Sequence, residues 1–133
     1  MKVLIIGGCG YTGSAIGKYL GSKHNITNVD LEWFGNYSNA TNINIDFNNL
    51  TTQFLDEFNV IILTAGHSSV KMCDNDLQSS FNNNVRNFID LLEKLDKQKL
   101  IYASSSSVYG SVGGKTVNEK YFGFEPYNQY DIS

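Results

Sequence analysis

A doubly wound α/β fold with a parallel sheet is predicted by three features of the 133-residue sequence. These are short β-branched apolar runs, a glycine turn leading from the first run into an amphipathic helix, and alternation of strand and helix patterns. Residues 2–6 (Lys-Val-Leu-Ile-Ile) carry a short β-branched apolar run, Val3 to Ile6, the signature of a strand buried on both faces. The run stops at Gly7-Gly8-Cys9-Gly10. From 12 to 20, Ala15, Ile16, Tyr19 and Leu20 recur at helical spacing, and Gly21 stands where a helix would end. Residues 26–31 read as a second strand and 42–47, with clean alternation, as a third. A short helix over 50–58 precedes a fourth, buried strand at 60–63. The clearest helix covers 76–95, with Phe81, Val85, Phe88, Ile89, Leu92 and Leu95 as one apolar stripe. A fifth strand, 100–103, ends in Ser104-Ser105-Ser106-Ser107. Parallel strands require crossovers long enough to pack on the sheet, and the helical patterns supply them. Beyond Gly110 no element is legible.

Length and charge narrow the functional classes. One domain fits in 133 residues, and a net charge of -3 with both signs scattered leaves no electrostatic footprint for nucleic acid or an anionic membrane. No apolar run approaches the roughly 20 residues of a bilayer span, and no basic stretch precedes one as in a signal peptide, so a cytoplasmic protein is expected. Cys9 and Cys73 show no metal-binding spacing and read as reduced thiols.

The chemistry-bearing motif is the glycine turn. Gly7, Gly10 and Gly13 form GxxGxxG, and Gly8, Gly10 and Gly13 also satisfy GxGxxG, between a strand and a helix amino terminus. There the chain must turn tightly, its backbone must approach a pyrophosphate, and the helix must close on the strand. Free N–H groups and the helix dipole favour the phosphate charge. Asp30 follows Gly10 by twenty residues, at the end of the second strand, where a carboxylate accepts from adenosine ribose hydroxyls and repels a 2′-phosphate. NAD is therefore expected over NADP.

Together with Asp46-Phe47, Ala65-Gly66-His67, Asn83-Asn84-Val85 and Ser104-Ser105-Ser106-Ser107-Val108-Tyr109-Gly110, these motifs resemble the extended short-chain dehydrogenase/reductases. Within that group the sequence is similar to the amino-terminal part of NAD-dependent nucleotide-sugar epimerases and dehydratases, such as UDP-glucose 4-epimerase. The resemblance implies a Rossmann-type NAD-binding domain over 1–110 and an incomplete active-site segment over 111–133, with no substrate domain. It places Tyr11 and Thr12 at the pyrophosphate, Asp30 at the adenosine ribose, Asp46 and Phe47 beside the adenine, Ala65 and Gly66 along the cofactor, and Asn83 near the ribose on the nicotinamide side. It further implies a homodimer built through the long helices and a nucleotide sugar as substrate.

By the same resemblance Ser105 hydrogen-bonds the reacting sugar hydroxyl, and Tyr130, 25 residues later, is the base of a YxxxK motif. A free phenol titrates near about 10, so such a base relies on a lysine four positions on to favour its ionised form. The sequence reads Tyr130-Asp131-Ile132-Ser133 and ends, so the chain alone is expected to turn over little or no substrate. The alternative function is a non-catalytic NAD-binding or regulatory module. His67 is expected to be a solvated loop side chain. Six rings, Tyr109, Tyr121, Phe122, Phe124, Tyr127 and Tyr130, are expected to form an apolar patch with a tendency to self-associate.

Overall fold

The computed structural model describes residues 1–121, 123 and 125–133. Five strands form one sheet in the order β3-β2-β1-β4-β5: β1 (Lys2–Ile6), β2 (Asn25–Val29), β3 (Thr41–Ile43), β4 (Val60–Leu63) and β5 (Lys99–Tyr102). Every pairing is parallel, and Ile6 lies opposite both Val29 and Leu63 while Leu63 lies opposite Tyr102. The carboxyl ends of these four strands are therefore level. The loops carrying Gly7 to Gly10, Asp30 and Thr64 to Gly66 leave the sheet at one edge.

β1 is central, and the chain runs from it to β2 and β3 on one side before crossing to β4 and β5 on the other. The reversal makes the carboxyl ends of β1 and β4 the switch point, where open α/β sheets bind ligands. Alternation along β1 divides the core. Leu4 and Ile6 pack with Phe47, Leu50, Leu55, Phe58 and Leu91, whereas Val3 and Ile5 pack with Ile62 and with Ile16, Leu20 and Ile26. The doubly wound fold expected from the sequence is the one observed.

Helix boundaries and faces differ from expectation at several points. In α1 (Tyr11–Leu20) the buried residues are Gly13 and Gly17, and Tyr19 is 80% exposed. A side chain at Gly17 would touch Ile5 and Ile26, so the two glycines, one turn apart, set the face that closes on β1. The third strand stops at Ile43 and does not continue to 47. Ile45 N–H turns back to Ile43 O at 3.0 Å, and Asp46 caps a 3-10 turn over Phe47–Asn49 by accepting from Asn48 N–H at 2.9 Å. The ladder ends where β2 ends, at the Val29–Ile43 pair, and the Asp46 cap then starts the turn that carries Phe47 into the core. The second strand similarly ends at Val29. The helix expected over 50–58 is the single turn α2 (Thr52–Leu55), capped by Thr51.

The long helix expected over 76–95 is composite. α3 (Val70–Asn75), which has no clear periodicity, precedes α4 (Leu77–Phe81), which passes through a π-helical segment, Asn82–Arg86, into α5 (Asn87–Lys94). Leu91 is buried, with Phe88 and Leu95 packed against the same core, while Ile89 and Leu92, which belong to the apolar stripe by spacing, are exposed. Residues 111–133 do contain one short helix, α6 (Gln129–Ile132), capped by Asn128. Of the six tail rings, Phe122 and Phe124 lie outside the described residues; Tyr121 and Tyr127 are exposed and Tyr109 and Tyr130 half-buried.

By compactness the described residues group into two units, Met1–Gly66 with Asn87–Ala103, and His67–Arg86 with Ser104–Ser133. Among the described residues no helix is long and apolar enough to cross a membrane.

Candidate active site

In the first unit the glycines of the turn do different things. Gly7 has φ +88°, and a Cβ there would run into the Ala65 N and lie 2.8 Å from Ala65 Cα. A Cβ on Gly13 would strike Gly7 O, and one on Gly8 would overlap the Asn28 side chain. These three are demanded by the fold itself. Gly10 is not: its φ is -73°, and the nearest atom to a Cβ would be Gly7 O at an ordinary 3.5 Å. The space beside Gly10 is open to a ligand.

Gly10 is also the N-cap of α1, and no side chain caps that helix. Thr51, Ser69, Asp76 and Asn128 each accept a backbone N–H at the head of the other capped helices. The first turn of α1, Tyr11-Thr12-Gly13, thus presents unsatisfied N–H groups at the positive end of the helix dipole, with the Tyr11 and Thr12 side chains exposed.

Asp30 follows β2 at the same sheet edge. Its Oδ2 accepts from Cys9 N–H at 3.0 Å and its Oδ1 from Glu32 N–H at 2.6 Å. A carboxylate has about four acceptor sites, so two held N–H groups orient the group and leave capacity for a pair of vicinal hydroxyls. The neighbouring Cys9 side chain is buried, and burial first, then the charges of Asp30 and Glu32, push its thiol up to about 11. The neutral thiol is therefore the native form. At pH 8 only about one molecule in a thousand carries the thiolate. Iodoacetamide should label Cys9 far more slowly in the native chain than in urea; a native rate within about tenfold of the unfolded rate would contradict this. Because the native pKa is raised, the associated stability is complete below about pH 9 and lost as pH approaches 11. Both cysteines are free.

Asp46 is committed through one oxygen to the Asn48 N–H, and Phe47 is 5% exposed within the core. Contact between Phe47 and an adenine would have to come from its backbone. Ala65 N–H and Thr64 N–H both bond Ile6 O, at 3.0 and 2.8 Å, which pins the start of the Ala65-Gly66 loop against the end of β1. Among the described residues no cluster of side chains is suited to a metal ion.

The second unit holds the remaining candidates. His67, expected to be solvated, is 7% exposed. Asn84 grips its backbone from both sides: Oδ1 accepts His67 N–H at 2.8 Å and Nδ2 donates to His67 O at 3.1 Å. Asn83 Nδ2 lies 3.3 Å from His67 Nδ1. Both asparagines lie in the π-helical segment, and nothing in the run Asn82-Asn83-Asn84 distinguishes Asn84 as the one that holds the loop. Ser105 caps the 3-10 turn Ser106–Tyr109, its Oγ accepting from Ser107 N–H at 3.2 Å. That leaves the Ser105 hydroxyl proton available to donate. Tyr130 stands in α6, where Asn128 accepts from Asp131 N–H and Asp131 in turn accepts from Tyr127 N–H. Tyr127, the other tyrosine nearby in sequence, is no candidate base: its hydroxyl donates to Glu125 at 3.1 Å, and that bond raises its pKa.

The family model of the NAD dependent epimerase/dehydratase family matches residues 3–133. The chain belongs to that family. No curated protein sequence matches it significantly. Among solved structures it is similar to a UDP-glucose-4-epimerase from Stenotrophomonas maltophila with bound NAD and formylated UDP-arabinopyranose (22% identity, TM-score 0.88, 99% of this chain and 45% of that one). It is also similar to a UDP-N-acetylglucosamine 4-epimerase from Methanobrevibacter ruminantium (24%, TM-score 0.87, 98% and 46%). A third is the Thermus thermophilus UDP-glucose 4-epimerase complex with NAD (24%, TM-score 0.84, 99% and 47%). This family member therefore spans less than half the length of those chains, and its likeness to them establishes the fold.

Proposed function

We propose that this chain is the cofactor-binding part of an NAD-dependent epimerase or dehydratase acting on a nucleotide sugar. The observation that carries the reading is the uncapped amino terminus of α1 at Gly10, at the switch point of the sheet, with Asp30 at the same edge. Under this reading Tyr11 and Thr12 N–H groups hold the pyrophosphate and Asp30 the adenosine ribose. Asp46, the Phe47 backbone, Ala65 and Gly66 line the cofactor, with Asn83 near the ribose on the nicotinamide side. Bound NAD supplies a hydride acceptor. Ser105 donates a hydrogen bond to the reacting sugar hydroxyl and Tyr130 takes its proton. Residues 1–110 then form the cofactor domain and 111–133 an active-site segment. The exposed Ile89 and Leu92 of α5 support a homodimer through that helix.

Titration calorimetry with NAD and NADP tests the cofactor assignment. Saturable NAD binding, tighter than NADP, is expected. Absence of NAD binding would overturn the reading, and a preference for NADP would overturn the role given to Asp30.

A further inference from the structure

β2 carries an amide where its neighbours are apolar. Asn28 is fully buried and pairs in register with Ile5, which packs with Val3 and Ile62 against Ile16 and Leu20 of α1. Only half of that amide is used. Its Nδ2 donates to Ser38 Oγ at 2.6 Å, whereas its Oδ1 is buried with no hydrogen-bond partner among the described residues. An orphan acceptor in a core is a cost that an apolar side chain would avoid, so strand packing does not account for it. The amide lies instead against the glycine turn. A Cβ on Gly8 would overlap the Asn28 amide oxygen and lie 2.7 Å from Asn28 Cβ, so this side chain stands directly against the Gly8 backbone.

The other end of the amide holds a loop to the same turn. Ser38 Oγ also accepts from Ala40 N–H at 3.0 Å, and Ser38 N–H donates to Asn36 Oδ1 at 2.9 Å, so residues 36–40 close around the hydroxyl that Asn28 grips. Tyr37, between them, donates its N–H to Cys9 O at 3.0 Å. Asn28 therefore backs the turn twice, at Gly8 by direct contact and at Cys9 through the loop. The next residue, Gly10, opens α1 and its unsatisfied N–H groups. Resting on the reading of those groups as the pyrophosphate site, we infer that Asn28 is a positioning residue for it. From behind the turn, and without touching the ligand, it holds Gly8 and Cys9 so that the head of α1 is set before the cofactor arrives. A turn fixed in advance loses less freedom on binding, and recognition of a phosphate by backbone N–H groups depends on how precisely they are held.

Positioning and plain stability separate by ligand. NAD is titrated by calorimetry, and adenosine, which has the base and ribose but no phosphate, by ligand-observed NMR, into the full chain, Asn28→Ala, Ser38→Ala and the double variant. Each single variant should bind NAD about five- to tenfold more weakly while adenosine affinity stays within about twofold, and the double variant should bind NAD as Asn28→Ala does, because Ser38 acts through Asn28. A residue that serves packing alone would lower the urea midpoint and leave the folded chain's NAD affinity in place, or weaken both ligands alike; either result would overturn the inference, as would losses that add in full. If Asn28→Ala does not fold, Ser38→Ala decides by the same comparison of NAD with adenosine. If the unaltered chain binds no NAD, the cofactor reading itself falls and this inference with it. If NAD binds and no variant shifts it relative to adenosine, only the inference falls.

Discussion

Replacing Gly7 by alanine is expected to destabilise the chain by about 2–5 kcal/mol, read as a lower urea midpoint at unchanged slope. Two costs add. A side chain at φ +88° loses about 1–2 kcal/mol against the left-handed region. The new Cβ would also overlap the Ala65 backbone and lie 2.8 Å from Thr64 C, so β1 and the loop after β4 would have to part, at about 1–3 kcal/mol for overpacking. Gly7 is fastened on its other side by its N–H to Val29 O at 2.8 Å, which blocks an easy retreat. A loss below about 1 kcal/mol would show that the turn relaxes and that the contact with Ala65 does not hold the switch point together.

Gly10→Ala should separate folding from binding. Its φ of -73° suits alanine and its Cβ would meet nothing closer than 3.5 Å, so the expected stability change is under about 1 kcal/mol, the usual scale for a poor N-cap. The same methyl group would stand where a pyrophosphate must approach the head of α1. NAD affinity should fall tenfold or more with the urea midpoint nearly unmoved. Retained affinity would mean that the phosphate lies elsewhere; a collapse of stability equal to that of Gly7→Ala would mean that Gly10 is a structural glycine after all.

The contrast between these two glycines shows how far the sequence could be read. The spacing of Gly7, Gly10 and Gly13 marks a phosphate-binding turn because strand, turn and helix are contiguous, and contiguous patterns carry their own geometry. It cannot say which glycine is spent on φ, which on helix packing and which on a ligand, since that depends on Ala65, more than fifty residues away. α1 shows the same limit. Its helical period is legible, and Ile16 and Leu20 pack on the core, but Ala15 and Tyr19 of the same apolar set are exposed while Gly13 and Gly17 are buried, because hydrophobicity marks burial only when close approach of the backbones does not decide it. In α5, Leu91 lies inward with Phe88 and Leu95 while Ile89 and Leu92 are exposed, and the spacing of so many apolar residues does not by itself choose between the two flanks. The third strand, whose alternation runs on to Phe47, stops at Ile43 because its partner β2 stops at Val29, and residues 46–49 form a capped 3-10 turn instead.

Strand identity, the parallel sheet, the glycine turn and the acid at the end of β2 were thus determined by sequence alone, each being a local pattern with a local physical cause. Tertiary structure decided which helix faces turn inward, which glycine stays open, that His67 is buried under the grip of Asn84, and that Asn28 stands against Gly8. Each depends on groups distant in sequence, and their contacts exist only once the chain has folded.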